Sequence, residues 1–438
     1  MQKKVKTSGE KAVTGTTQRG REMHALLTQL FLLCRSITGD GIRETLDILK
    51  KRIPLSVHEI PSGTRVFDWV IPKEWNIRGA YIEDEKGKHI VDFADNNLHV
   101  VSYSVPIDAR MPLAKLQEHL HSIESLPDAI PYVTSYYKET WGFCLSDRQR
   151  KKLKNGTYHV VIDSELKEGS LTYGEYIVPG ETKQEIFFST YICHPSMANN
   201  ELSGPVVSTF LAKALRDKKR RYTYRFVFVP ETIGSVTYVS RNLEALKKNT
   251  IAGFNVTCVG DEGAYSYLPS RYGNTLADRA AQCVLGFAHP NYVRWSFLDR
   301  GSDERQYCSP GVDLPLCSIM RSRYNTYPEY HSSLDNLSFV TPSGLGGSFD
   351  VLMKCIELLE RNYTYRAVYP CEPQLGKRQM YENQQTFISD FTQAVGNFLA
   401  YADGTNDLIQ ISLIIGVAPW NLYPIIDRLL EDGLIERS

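Results

Sequence analysis

No run of apolar residues in this chain of 438 approaches the roughly 18 that a membrane helix needs. The start, Met1 to Arg21, is polar and basic and has no apolar signal-peptide core, so residues 1–20 are expected to form a disordered leader. Charge of neither sign predominates. The 50 basic and 50 acidic residues cancel, which removes any global attraction to nucleic acid or to an anionic membrane. The nine cysteines are scattered, odd in number and without CxxC spacing. Cys34, Cys193, Cys258 and Cys283 lie in apolar runs, where the thiol behaves as a small hydrophobe. That pattern excludes a disulfide framework and points to a reduced, cytoplasmic setting. Internal repeats are missing too, as are low-complexity tracts beyond the leader.

What is present is enough apolar and aromatic content, 42% and 11%, to fill a sizeable core, in a chain long enough for two or three domains. Gly20 to Ile53 has helical periodicity, with a turn at Gly39-Asp40-Gly41. From His58 to Val105 the pattern changes to short β runs (64–72, 80–84, 89–93) separated by Gly, Pro and Asn. The middle of the chain alternates. Strands are expected at 157–162, 185–192, 225–229, 252–259 and 316–320, with helices at 205–216, 236–248, 275–287 and 348–360. Such alternation predicts an α/β fold, a mostly parallel sheet with helices on both faces. The end predicts helices at 385–401, 408–415 and 420–430 and a wing beginning at Leu434, a helix-turn-helix pattern. The expected domains are therefore 21–57 with 106–370 as the α/β core, 58–105 as a β-rich insert, and 371–438 as a winged-helix-like domain.

Open α/β sheets place ligands at the carboxyl ends of their strands, and polar groups gather there. The apolar run 185–192 delivers His194, followed by Asn200 and the helix opening at Ser203-Gly204. The run 225–229 delivers Glu231, a carboxylate placed either as a general base or as an acid at a helix N-terminus. The run 252–259 delivers Asp261 and Glu262. Ser302-Asp303-Glu304 and Tyr330-His331 with Asp335 complete the set. Zinc sites in hydrolases draw nitrogen and carboxylate ligands from separate loops in this way.

The order strand–His, Asn-x-x-Ser-Gly, strand–Glu-x-x-Gly-Ser, strand–acid, Ser-Asp, Tyr-His-x-x-x-Asp resembles the zinc-dependent aminopeptidase superfamily, which includes glutaminyl cyclases. The match looks closest to a bacterial aminopeptidase-like branch of unassigned function, with a β-rich insert and a C-terminal winged helix. Phe67-Asp68-Trp69, Pro72–Ile77, Asn97–Val101, Tyr136-Tyr137, Trp141–Cys144 and Gly301–Tyr307 carry that likeness, from about Gly20 to Ser438. The resemblance implies that His194 and His331 bind zinc and that Glu231 is the general base. It implies also that Asn200, Thr232 and Thr257 stand where two-zinc relatives have carboxylate ligands, and that Ser196 stands where many have an aspartate orienting the first histidine. One zinc ion is therefore expected, held by His194, His331 and one acid; Asp261, Glu201 or Asp303 could replace the carboxylate missing at Asn200, with Asp261 or Asp303 favoured.

Asp303 and Glu304 are candidates for a substrate amine, the alternative being ion pairs with Arg300 or Arg305. Arg321 or Arg323 is a candidate for a substrate carboxylate, with Tyr324 and Tyr330 flanking His331. His99 and Trp141 reach the cleft from the insert side by resemblance alone. The implied activity is hydrolysis of an amide next to a free amine in a small peptide, aminoacyl-sugar or metabolite conjugate. The alternatives are a metal-depleted binding protein and a different amide chemistry on the same scaffold. Residues 407–438 hold five acids and two bases, which argues against DNA contact and for packing or self-association by the C-terminal domain.

Overall fold

The computed structural model describes residues 8–380 and 390–437, with side chains from Thr17. Its main sheet has eight strands, in the order 56–61, 170–178, 223–229, 185–191, 250–255, 316–320, 266–268 and 293–294. The four central strands, Thr223–Val229, Glu185–Tyr191, Thr250–Asn255 and Leu316–Met320, run parallel. The strand before them and the one after are antiparallel, so the sheet is mixed. Every residue of Glu185–Tyr191 and of Leu316–Met320 is buried, as a strand covered on both faces requires. Because the central four are parallel, their carboxyl ends share one edge, and the loops bearing His194, Glu231, Thr257 and Arg321 all open there.

The helix after His194, Ser203–Arg216, is entered through a single π-helical turn at Ala198–Leu202, a device common at functional sites. Gly204 is required at that entry. A Cβ there would lie 2.2 Å from the Val256 carbonyl oxygen and 2.4 Å from Thr190 Oγ1. The first helix spans Ser8–Phe31, so the segment expected as a disordered leader is helical from Ser8, and its first seven residues lie outside the described ones. Arg19 anchors this helix on Asp350 and over the Phe349 ring.

The insert is larger than the sequence suggested. Its four-stranded sheet combines 89–92, 74–83, 157–167 and 107–112 and encloses its own apolar core. Thr157–Lys167, expected in the main sheet, pairs with Glu74–Glu83 and Ile107–Pro112 instead. The alternation that buries Tyr158, Val160 and Ile162 cannot reveal this. Both sheets accept a strand buried on one face, and only the partner decides.

The C-terminal unit is a three-stranded sheet, in the order 403–407, 364–367, 435–437, with helices Asp390–Tyr401, Leu408–Ile415 and Pro419–Glu431. Its sheet begins at Thr364, before the expected boundary at 371. Residues 385–389 of the expected helix 385–401 lie outside the described ones. Asp407 caps its helix by accepting from Gln410 N, Gly416 ends it at φ 68°, and Pro419 starts the next one. Among the described residues no single helix is long and apolar enough to cross a membrane.

Candidate active site

His194 and His331 meet at the carboxyl edge of the sheet, with ring centroids 5.2 Å apart. His194 Nδ1 lies 2.8 Å from Glu201 Oε2, and its Nε2 lies 3.7 Å from Glu231 Oε2. Glu201 sits in the π-helical turn, seven residues after His194, and fixes the imidazole as a carboxylate does for metal-binding histidines. Ser196, at the position where an orienting aspartate was implied, instead donates to the Phe31 carbonyl. Behind Glu201 lies Arg35, wholly buried, donating to the carbonyls of His194 and Leu30 and 3.8 Å from Glu201 Oε1.

Both imidazoles are held neutral. Burial, and then Arg35, push His194 down to about 3, while burial and then His194 do the same to His331. Neutral imidazole is the metal-binding form. His331 Nε2 is buried and has no hydrogen-bond partner, and so is Asn200 Oδ1. Glu231 and Asp303 are both raised, Glu231 by burial and then by Asp303, Asp303 by burial against the hydrogen bonds from Thr232 and Ser235. Asp303 Oδ1 accepts from Thr232 N at 2.7 Å and Ser235 Oγ at 2.8 Å, leaving Oδ2 buried and free. This grip holds Thr232 in a left-handed backbone, φ 64°, a strained conformation for a β-branched residue.

The three places lacking carboxylates are filled by neutral groups. Asn200 Nδ2 donates to Tyr191 Oη at 2.7 Å, Tyr191 Oη is 2.6 Å from Thr257 Oγ1, and Thr257 Oγ1 donates to the Asn200 carbonyl. Thr232 Oγ1 accepts from Arg305. By donor type, two neutral imidazoles with the Glu231 and Asp303 carboxyls suit one cation, and the neutral groups at Asn200, Thr232 and Thr257 do not suit a second. Among the described residues, the one group of three mutually close donors is Cys193, His194 and Glu201. It is an orienting cluster, since His194 Nδ1 is already committed to Glu201 and the Arg35 charge repels a cation.

Several expected site residues do structural work elsewhere. Asp261, one of the two favoured extra ligands, has both oxygens taken by Asn199 Nδ2, Gly263 N and Ser322 N and Oγ. Glu304 is neither an amine site nor an arginine partner. It accepts from Gly301 N, Ser302 N, Tyr324 Oη and Asn255 Nδ2, so Tyr324 is tied up with it. Arg321 donates to the Gly263 carbonyl and lies over the Tyr265 ring. Arg323 donates to the Asp299 carbonyl and lies over Trp295. His99 Nδ1 is bound to the Cys144 carbonyl, and Trp141 stacks on His119 beside the insert core. Tyr330 does flank the site, stacked on His331 at 3.9 Å.

Sequence reasoning missed the residues that hold the two histidines. Tyr132 lies against His194 and His331, 4.9 and 5.2 Å between centroids, with its hydroxyl 2.5 Å from that of Tyr136. The insert loop around it clasps the His331 loop: Tyr132 N donates to the His331 carbonyl, Ile130 N to Ser333 Oγ, and Ser333 N to the Ile130 carbonyl. Asp335 in turn accepts from the backbone of Asn199 and Asn200 and so fixes the π-helical turn. Only Arg35 left a signal, a lone cation inside an apolar stretch.

A mixed α/β sheet with this set of loops at its carboxyl edge defines an aminopeptidase-like protein. Residues 24–362 match a family described as a domain of unknown function, DUF4910, and 363–437 match a winged helix-turn-helix family. The chain belongs to the DUF4910 family. A Clostridium acetobutylicum protein named for polysaccharide biosynthesis, with an aminopeptidase-like domain, is 47% identical over 92% of this chain and 93% of its own. A crystal structure from that species, provisionally classed as a peptidase, has a TM-score of 0.92 at 45% identity, covering 98% of this chain and 99% of that one. The zinc aminopeptidase BSAP of Bacillus subtilis shares the fold, with a TM-score of 0.55 at 13% identity over 77% of this chain and 94% of its own.

Proposed function

We propose that this protein is a hydrolase dependent on one zinc ion, cleaving an amide bond beside a free amine in a small, sugar-linked substrate. The observation that carries the reading is His331 Nε2, buried and unpartnered, facing an imidazole whose other nitrogen Glu201 has fixed. A buried nitrogen without a partner calls for a missing group, and a cation between two neutral imidazoles supplies it. His194 Nε2 and His331 Nε2 would hold the ion, with Asp303, whose Oδ2 is buried and unpartnered, as the acid. Zinc, when bound, polarises a carbonyl and acidifies water. Glu231, raised toward neutrality, takes the proton from the attacking water and returns it to the departing amine nitrogen as the C–N bond breaks. The relative named for polysaccharide biosynthesis supports a sugar-linked substrate over a free peptide.

Metal analysis with three variants tests this. Zinc is expected near one per chain, lost in His194→Ala and His331→Ala and kept in Glu231→Gln. In Glu231→Gln, turnover of aminoacyl amides should fall by roughly 10²-fold or more. A protein that takes up no zinc after dialysis against it overturns the reading. The neutral network of Asn200, Tyr191 and Thr257 favours a second reading, a peptidase-like binding protein without metal. That reading requires the zinc-free result.

A further inference from the structure

The hairpin 65–70 projects from the insert toward the helix that follows Glu231. Val66 belongs to the same buried apolar cluster as Ile233 and Val236, the first apolar residues of that helix, and its strand contacts the helix. Its two-residue turn is Phe67-Asp68, and Phe67 has φ 56°. Such turns favour Gly or Asn where φ is positive, and a bulky aromatic there is strained. The strain is not offset by full burial, since Phe67 remains 51% exposed. Next to it Trp69 meets Tyr137 edge to face, 5.7 Å between centroids at 62°. Tyr137 is 59% exposed, and no protein group among the described residues accepts from the Trp69 indole N–H. Tyr137 also follows Tyr136, which is hydrogen-bonded to Tyr132 and through it reaches both histidines.

We infer that Phe67, Trp69 and Tyr137 form a sugar-stacking subsite at the hairpin that meets the helix following Glu231, receiving a pyranose ring of the substrate. A pyranose face is a patch of weakly positive C–H groups, complementary to the negative face of an aromatic ring. Its rim of hydroxyls needs donors and acceptors at the edge of the aromatics. The Trp69 N–H and the exposed Asp68 carboxylate, at the hairpin tip, supply one of each. A strained, half-exposed aromatic is the kind of outlier that marks a functional surface. The inference deepens the proposed function and rests on it for what lies beyond the first ring.

Binding of chitotriose, an uncharged trimer of N-acetylated amino sugars, is measured by calorimetry, with cellotriose and trialanine alongside. Wild type is expected to bind at least one of the two sugars, with trialanine at least tenfold weaker. Phe67→Gly and Trp69→Ala should each weaken sugar binding roughly tenfold. Phe67→Gly relieves the backbone, so its melting temperature should equal or exceed that of wild type while affinity falls. The measurement reads binding without turnover, so a failure of the proposed catalysis leaves it intact. Absence of sugar binding, equal binding of trialanine, or full affinity in Phe67→Gly overturns the subsite.

Discussion

Asn200 donates through Nδ2 to Tyr191 and leaves its Oδ1 buried without a partner, so one atom separates two electrostatic designs. In Asn200→Asp a carboxylate would enter a pocket whose polar partners are neutral, the Tyr191 hydroxyl and the Cys258 thiol. Without a cation, that buried charge is costly, about 1–3 kcal/mol for a group left poorly paired. The metal-free variant should melt below wild type, and zinc should raise its melting temperature by more than it raises that of wild type. Thermal scans with and without zinc check this. Identical melting and identical zinc shifts would mean that the side chain does not face an ion.

Glu262 accepts from Thr341 and Ser343 at the start of the helix Pro342–Arg361, where Thr341 also accepts from Gly344 N. These hydroxyl bonds hold its carboxyl below the usual range. The folded pKa is depressed, so the stabilisation is present above the ordinary carboxylate pKa and is lost as pH falls through the folded value. Glu262→Gln should cost about 0.5–1 kcal/mol near neutral pH, as an acid at a helix N-terminus does, and nothing in strong acid. Urea melts at several pH values measure the difference. At this scale the sequence was most informative where periodicity is long and apolar. The strand Leu316–Met320 and the helix Leu408–Ile415 have the bounds read from their residues. It was least informative about which sheet a strand joins. Thr157–Lys167 shows the same alternation in either sheet, and its partner Glu74–Glu83 lies far away in the chain. The site divided the same way. His194, Glu231 and His331 stand in strand-end loops that local pattern marks. Glu201 and Tyr132 act through contacts that no local pattern encodes, Arg35 shows only as a lone cation in an apolar stretch, and Asp261, Arg321 and Arg323, expected to meet metal or substrate, are committed to holding loops.

The C-terminal unit offers few cations for a phosphate backbone. Arg428 is paired with Asp432, Arg437 lies over Tyr363, and Arg361 is paired with Asp427. A low-salt mobility-shift assay with mixed-sequence duplex is therefore expected to show no complex. Salt-sensitive binding that vanishes on deletion of 405–438 would assign the unit to DNA instead. The clasp between the insert and the His331 loop has a consequence in time. Ile130 and Ser333 are 203 positions apart, yet their bonds help to fix one of the two imidazoles. Chains leave the ribosome amino end first. Most of the chain must emerge before the second half of the clasp exists, so the paired imidazoles cannot form in a chain that stops short of His331. A nascent or truncated chain ending before that loop carries His194 and Glu231 but no assembled centre, and whatever chemistry the site performs is withheld until about three quarters of the chain has been made.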